Sequence, residues 1–84
     1  AMADGGVACG LPRADAVRFA AQTLLGAAQM VLTTGKHPDQ LKNEVCSPGG
    51  STIQGVRTLE QRAVRAAMMD AVIAACDKNA ALGK

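Results

Sequence analysis

Apolar residues recur at helical spacing along most of the chain, and this pattern predicts an all-α fold. The longest predicted helix runs from Arg13 to about Thr33, with polar residues on the side opposite an apolar face. That face consists of Val17, Ala20, Ala21, Leu24, Ala28 and Val31. Further helices are predicted over residues 1 to about 7, 37–45, 51–60 and 64–76, and no strand-like alternation is visible. With 84 residues, the chain predicts one small helical domain or a piece of a larger protein.

Glycine and proline positions predict where these helices begin and end. We expect Gly5 and Gly6 to stop the first helix and Gly35 to end the long second one. Pro12 suits the first turn of the second helix, because its missing N–H is not needed there. The polar tail, residues 77–84, is expected to fray.

Residues 64–76 are apolar nearly all round the predicted helix, with only Arg65 and Asp70 charged. One broad face carries Val64, Ala67, Met68, Ala71, Val72 and Ala75, and Met69 and Ile73 lie off it. Such a helix is buried on more than one side, whereas a short alanine-rich chain can bury little area by itself. We therefore expect this helix to pack against a second copy of the chain.

The charge pattern argues against nucleic-acid and membrane partners. The formal net charge of +2 is spread along the chain without a run of Lys or Arg, and Phe19 is the one aromatic residue. A nucleic-acid interface needs a basic surface and commonly uses stacking side chains. The apolar runs are too short or too interrupted to span a bilayer.

The cysteines and the histidine predict no metal site. Cys9, Cys46 and Cys76 are odd in number and far apart, without the spacing of a metal-binding motif. They indicate reduced thiols in an intracellular protein, and the absence of a signal-peptide pattern predicts a cytoplasmic location. Cys46 is interpreted as a packed or exposed thiol rather than a reactive one. His37, directly before Pro38, is interpreted as structural rather than as a base or a ligand.

The segment 45–53, Val-Cys-Ser-Pro-Gly-Gly-Ser-Thr-Ile, is the most distinctive part of the chain. The pair Gly49 and Gly50 allows consecutive backbone N–H groups to point the same way. Ser51 or Thr52 can cap the helix that follows. A helix N-terminus preceded by such a glycine pair suits a carboxylate or a phosphate. From the residues alone, a plain turn between two helices remains the alternative.

Several motifs of the chain resemble one enzyme family. They are Ala3-Asp4-Gly5-Gly6-Val7, Gly10-Leu11-Pro12, Ala21-Gln22 with Leu25-Gly26-Ala27-Ala28, His37-Pro38, Leu41-Lys42, Val45 with Ser47-Pro48-Gly49-Gly50-Ser51-Thr52-Ile53, Leu59-Glu60, and Arg65-Ala66-Ala67 leading into Ala71-Val72. In one register over nearly the whole chain, they resemble the C-terminal dimerisation domain of pyrroline-5-carboxylate reductase. The Ser-Pro-Gly-Gly-x-Thr block with the downstream Leu-Glu and Arg-Ala-Ala motifs is the specific part.

The resemblance implies one helical dimerisation domain over residues 1–84, preceded in the polypeptide by a nucleotide-binding α/β domain. Enzymes of this family reduce 1-pyrroline-5-carboxylate, a cyclic imine, to L-proline with NADPH or NADH. Their helical domains interleave in a homodimer, and several members assemble further into decamers. No glycine-rich dinucleotide fingerprint occurs in this chain, so no cofactor-binding residue is assigned to it. We expect the chain alone to be inactive, and in a eukaryote a mitochondrial location is the alternative to the cytoplasm.

Carried over to this chain, the resemblance places the substrate carboxylate against the backbone amides of Gly49, Gly50, Ser51 and Thr52. The Thr52 hydroxyl would contact the imine or amine nitrogen, which makes Thr52 the candidate catalytic residue. A hydroxyl is a weak acid, so proton relay by Thr52 or an adjacent water is a hypothesis. Ser47 would shape the loop or bind the substrate through water.

Two positions depart from the family pattern. Ser51 stands where many members have Thr or Ala, a change that keeps the backbone role. Arg62-Ala63 stands where many members have Gly or Lys-Gly, and alanine disfavours a left-handed turn. We therefore expect the last two helices to run on more continuously. Two other functions remain open: a helical dimerisation module that binds no small anion, and a small-anion sensor without catalysis.

Overall fold

The computed structural model describes residues 1–83, which form α-helices joined by short turns. Within these residues the helices are α1 Met2–Ala8, α2 Arg13–Thr34, α3 Pro38–Val45, α4 Ser51–Gln61 and α5 Val64–Leu82. The predicted all-α fold is confirmed, and each predicted helical segment corresponds to one helix. The chain divides into two compact units, Ala1–Asn43 and Glu44–Lys84.

The turn after α1 is built around Gly10, which has a φ of 104°. The Leu11 N–H donates to the Gly6 carbonyl at 3.0 Å, and the Gly10 N–H donates to the Val7 carbonyl at 2.9 Å. This pair of hydrogen bonds defines a Schellman motif. The expectation that Gly5 and Gly6 stop the first helix was wrong, because the left-handed residue that ends it is Gly10.

Gly6 has a different role, because it lies where α1 and α2 pack closely together. A Cβ added at Gly6 would lie 3.2 Å from the Ala16 Cβ and 3.3 Å from the Leu11 Cδ1. Ala16 is 3% exposed, and it is the only buried residue among the residues that the structure describes. An exposed ion pair between Arg13 and Asp4 also joins the two helices. The two helices therefore form a small packing unit of their own.

The boundary between α2 and α3 follows the predicted signals. Gly35 ends α2 with a φ of 67°, and its N–H donates to the Val31 carbonyl at 3.2 Å. The next helix begins at Pro38. The ring Nδ1 of His37 accepts a hydrogen bond from the Asp39 N–H at 3.1 Å. This local bond at the start of α3 supports the interpretation of His37 as a structural residue.

The junction between α4 and α5 contradicts the expectation of a more continuous helix. Ala63 has a φ of 55° and a ψ of 38°, in the left-handed region. Among the described residues it is the only non-glycine residue with a positive φ. The α4 helix ends at Gln61, and α5 begins at Val64. The Arg65 and Glu60 side chains pair at 3.5 Å across the junction, and both are exposed.

The last helix is longer than its apolar pattern suggested. It continues to Leu82, so the expectation that residues 77–84 fray was wrong over 77–82, and Lys84 lies outside the described residues. The alanines in this stretch have a high helix propensity, which offsets the lower propensity of the polar residues beside them. Across residues 1–83, none of the helices is long and apolar enough to cross a membrane.

Apolar side chains of α2 and α5 are left uncovered by the chain itself. In α2, Val17 and Leu24 of the predicted apolar face are 51% and 62% exposed. In α5, Met68 and Val72 are 67% and 70% exposed, and Ile73, on another side of the helix, is 56% exposed. These residue types are usually buried in proteins. Their faces therefore need cover from outside the chain, as the sequence pattern indicates.

Candidate functional site

The candidate loop between α3 and α4 is a tight turn formed by residues 47–50. The Gly50 N–H donates to the Ser47 carbonyl at 3.0 Å. Pro48 and Gly49 occupy the two central positions, and Gly49 has a φ of 69°. Proline followed by a residue with positive φ is the arrangement of a type II turn. The loop conformation therefore depends on the Pro-Gly pair.

Gly50 connects this turn to α4 and lies close to Ser47. Its φ of −77° and ψ of 171° are those of extended backbone at the helix N-cap. A Cβ added there would collide with the Ser47 Oγ and lie 3.3 Å from the Ser47 carbonyl oxygen. No side chain caps α4, so the expectation that Ser51 or Thr52 caps it was wrong. These two residues are the first two residues of the helix.

The N-terminus of α4 presents backbone amides without an intrahelical acceptor. The first N–H groups of any α-helix lack such a partner, and here the Gly50 N–H is used by the turn. Ser51, Thr52 and Ile53 supply the next three N–H groups, at the positive end of the helix dipole. The first turn of α4 contains no acidic residue. The site thus has donors for an anion and no carboxylate of its own in that turn.

The structure brings all the predicted site residues together within six consecutive positions. Ser47, Gly49, Ser51 and Thr52 are exposed, and Gly50 is half-buried. The Gly50 amide already donates within the turn, whereas the predicted amides of Gly49, Ser51 and Thr52 have no acceptor in it.

One donor was missed by sequence reasoning. The Ile53 amide belongs to the same first turn, since α4 begins at Ser51. The signal that could have found it is the general rule that the first four N–H groups of a helix have no intrahelical acceptor. With Gly50 as the N-cap, these are the amides of residues 50–53, so the series ends at Ile53.

The surroundings of the loop hold neither a metal site nor a disulfide among residues 1–83. No group of three His, Cys, Asp or Glu side chains there could bind a metal ion. Cys46, next to the turn, is half-buried, and like Cys9 and Cys76 it is a free thiol. The chemistry available at the loop is therefore that of hydrogen-bond donors and hydroxyl groups.

A second functional surface lies on α5. Met68, Met69, Val72 and Ile73 line a shallow apolar depression on this helix. Apolar side chains on more than one side of a helix indicate burial against more than one neighbouring element. This surface is suited to contact another protein chain.

A helical fold with an uncovered apolar helix is typical of subunit-association domains. Comparison with known proteins gives the family: residues 1–82 match the family model described as pyrroline-5-carboxylate reductase dimerisation. The chain belongs to this family, and the resemblance inferred from the motifs is confirmed.

Similar proteins cover the whole chain but are much longer. Pyrroline-5-carboxylate reductase of Escherichia coli (strain K12) is 52% identical over 84 residues, which are 100% of this chain and 31% of that protein. The Arabidopsis thaliana reductase is 56% identical over the same length, which is 30% of that protein. Among solved structures, Plasmodium falciparum pyrroline carboxylate reductase with NADP bound is 37% identical with a TM-score of 0.92. The match covers 99% of this chain and 34% of that one. The chain thus spans about a third of the length of these relatives.

Proposed function

We propose that this chain is the helical domain of a pyrroline-5-carboxylate reductase, in which it joins subunits and supplies the loop that binds the substrate carboxylate. The observation that carries the loop assignment is the tight turn of residues 47–50, which leads into an uncapped helix N-terminus. The reaction would be the reduction of 1-pyrroline-5-carboxylate to L-proline. A nicotinamide cofactor is supported by the Plasmodium falciparum relative, which was solved with NADP bound.

The loop would hold the substrate by its carboxylate. The amides of Ser51 and Thr52, with that of Ile53, would donate to the carboxylate oxygens, and the helix dipole would favour the negative charge. Gly49 would contribute through the turn that it allows, and Ser47 through the hydroxyl that lies against Gly50. An anchored carboxylate fixes the orientation of a small ring, which is the main requirement for the reaction.

The Thr52 hydroxyl would lie beside the ring nitrogen. In the reduction, the imine carbon gains a hydride and the nitrogen gains a proton, so that the C=N bond becomes a single bond. The hydride comes from the reduced nicotinamide when that cofactor is bound. The described residues contain no strand–loop–helix unit for a dinucleotide, so no residue of this chain is assigned to the cofactor. Thr52 would orient the nitrogen and relay a proton from water.

Subunit association would occur through α5. The exposed Met68, Val72 and Ile73 support a homodimer in which the α5 helices are covered by another subunit. Larger assemblies, such as a decamer, would use apolar surface that the dimer leaves exposed. In such an assembly, the loop would lie at a subunit boundary and meet a nucleotide-binding domain there.

A chimeric enzyme tests the proposal. This chain would replace the matching 31% of the Escherichia coli reductase, to which it is 52% identical. We expect NADPH-dependent reduction of 1-pyrroline-5-carboxylate by the chimera and none by the isolated chain. Gly49→Val and Thr52→Ala should each lower kcat/KM for the imine by about tenfold or more, equivalent to 1.4 kcal/mol or more of transition-state stabilisation.

Thr58→Ala is the matched control for Thr52→Ala. Thr58 is exposed in the same helix, and its hydroxyl bonds the Gln54 carbonyl at 3.0 Å, so its loss should change kcat/KM by less than about twofold. An inactive chimera, or a loop variant that behaves like the control, would contradict the substrate-loop assignment. A chimera that assembles without binding the imine would favour the alternative, a dimerisation module without an anion site.

A further inference from the structure

The left-handed residue Ala63 lies at the junction between α4 and α5. Alanine disfavours this conformation because of its Cβ, and glycine is the usual residue there. Such outliers persist where the surrounding structure determines them, and they concentrate at functional positions. In this chain the outlier separates α4, whose N-terminus carries the candidate loop, from α5, which carries the uncovered apolar faces.

Hydrogen bonds on both sides of Ala63 define the junction. The Ala63 N–H donates to the Glu60 carbonyl at 3.1 Å, and the Ala63 carbonyl accepts from the Ala67 N–H at 2.9 Å. The Arg65 and Glu60 side chains pair at 3.5 Å across it. Arg62 is the C-cap of α4 and Ala63 is the N-cap of α5, so the junction has two residues and both helices are hydrogen-bonded up to it.

The length of α4 amplifies any change at this junction. Its 11 residues span roughly 16 Å, so a change of about 20° in direction at Ala63 would move the loop end of the helix by about 6 Å. A misplacement of about 1 Å at a reacting centre can already cost a hundredfold in rate. The direction of α4 relative to α5 is thus a sensitive determinant of where the loop amides lie.

We propose that Ala63 is a positioning residue for the candidate loop: its left-handed conformation sets the angle between α4 and α5 and thereby places the loop amides relative to the subunit interface. The proposal rests on the proposed function, because the loop is taken to bind the imine carboxylate. It goes beyond it by assigning a role to a residue 11 positions after Thr52 in the chain.

The test compares substitutions at Ala63 in the chimeric enzyme. Ala63→Val disfavours a positive φ, whereas Ala63→Gly allows it. We expect Ala63→Val to raise the KM for 1-pyrroline-5-carboxylate by about tenfold or more while the KM for NADPH changes less than about twofold. Ala63→Gly should keep both KM values near those of the parent. The controls are Ala66→Val and Ala66→Gly, at an exposed position inside α5, and these should leave both KM values unchanged.

Several outcomes would overturn the positioning role. Equal effects of Ala63→Val and Ala66→Val would do so, as would a parallel rise of both KM values, which indicates general structural damage. If Ala63→Val does not fold, Ala63→Asn and Ala63→Leu replace it, because they are similar in size and only Asn tolerates the left-handed region well. Equal imine KM values for these two variants would then refute the proposal.

A chimera without turnover would refute the proposed function. The role of Ala63 in setting the angle between α4 and α5 would then be tested by a structural measurement. Residual dipolar couplings report the direction of α4 relative to α5 in the chain itself. We expect Ala63→Asn to keep the parent angle and Ala63→Leu to change it. The same angle in both variants would overturn the role of Ala63 whatever the activity.

Discussion

The contact between Gly6 of α1 and Ala16 of α2 is covered within the chain, whereas the apolar side chains of α5 are not. The α1–α2 pair packs within the chain: Gly6 allows close approach, and Ala16 is buried. The α5 helix has nearly three times the length of α1, yet its Met68 and Val72 remain largely exposed. The contact between α1 and α2 is made within the chain, whereas the apolar surface of α5 requires a partner.

Helical periodicity indicated that α5 needs a partner, but it did not indicate the contact between α1 and α2. A local contact such as that of Gly6 with Ala16 is satisfied by residues ten positions apart in sequence. The apolar surface of α5 has no such neighbour, and burying it stabilises an assembly by roughly 25 cal/mol per Å² of apolar surface removed from water. Stability of the α5 region should therefore depend on protein concentration, and that of the α1–α2 contact much less.

The largest expected effect comes from breaking the α5 surface. Val72→Glu places a carboxylate where association would bury it without a partner, at a cost of several kcal/mol. We expect the self-association constant, measured by sedimentation, to fall by about a hundredfold or more. Gln22→Glu adds the same charge to the predicted polar side of α2 and should change the constant by less than about threefold. Similar self-association constants for Val72→Glu and Gln22→Glu would show that α5 does not mediate the association.

The next effect tests the local contact in α1–α2. Gly6→Val forces a side chain into the gap beside Ala16 and should lower the free energy of unfolding by about 1–3 kcal/mol. Gly5→Val is the matched control, since a Cβ at Gly5 meets nothing within 4 Å, and we expect a change of less than about 0.5 kcal/mol. Urea unfolding measures both. Equal losses would show that helix propensity, rather than close approach, decides the effect.

A smaller effect tests whether the loop needs glycine at position 49 for its positive φ rather than for lack of space. Gly49 has a positive φ and open surroundings, so Gly49→Ala should cost about 1–2 kcal/mol of stability through backbone strain alone. Gly55, within α4, also has open surroundings but an ordinary helical φ. Gly55→Ala should instead stabilise the chain by about 0.5–1 kcal/mol. The same sign of change for both variants, measured by thermal unfolding, would refute the turn assignment.

The smallest effect concerns the exposed ion pairs of the two regions. Glu60→Gln removes the pair with Arg65 at the α4–α5 junction, and Asp4→Asn removes the pair with Arg13 in α1–α2. Both pairs are exposed, so each change should alter the free energy of unfolding by less than about 1 kcal/mol. A larger loss for Glu60→Gln in denaturant titration would mean that the ion pair, rather than the backbone, holds the left-handed Ala63.

The sequence predicted the fold class and most helix boundaries because local signals determine them. Helical periodicity and Gly35 give both ends of α2 to within one residue. The loop composition also indicated a glycine-rich connection before a helix N-terminus, and residues 47–50 form a tight turn there; anion binding by this loop stays a prediction.

Other features could not be predicted, because they depend on contacts beyond the local pattern. The glycine pair at Gly5 and Gly6 resembles a helix stop, but Gly6 serves a packing contact with a residue of the next helix. Ala63 opposes its own conformational preference, so its neighbours in the fold determine it. Which amides of the loop remain available depends on the exact N-cap, Gly50, rather than on the motif.

The measurement that tests the central claim most directly is the mass of this chain in solution by light scattering. If the α5 surface is covered by another copy, the mass will be at least twice the 8.5 kDa of one chain, and it will fall on dilution or with Val72→Glu. A stable, well-folded monomer at high concentration would contradict the account, because the apolar faces of α5 would then be exposed without a partner.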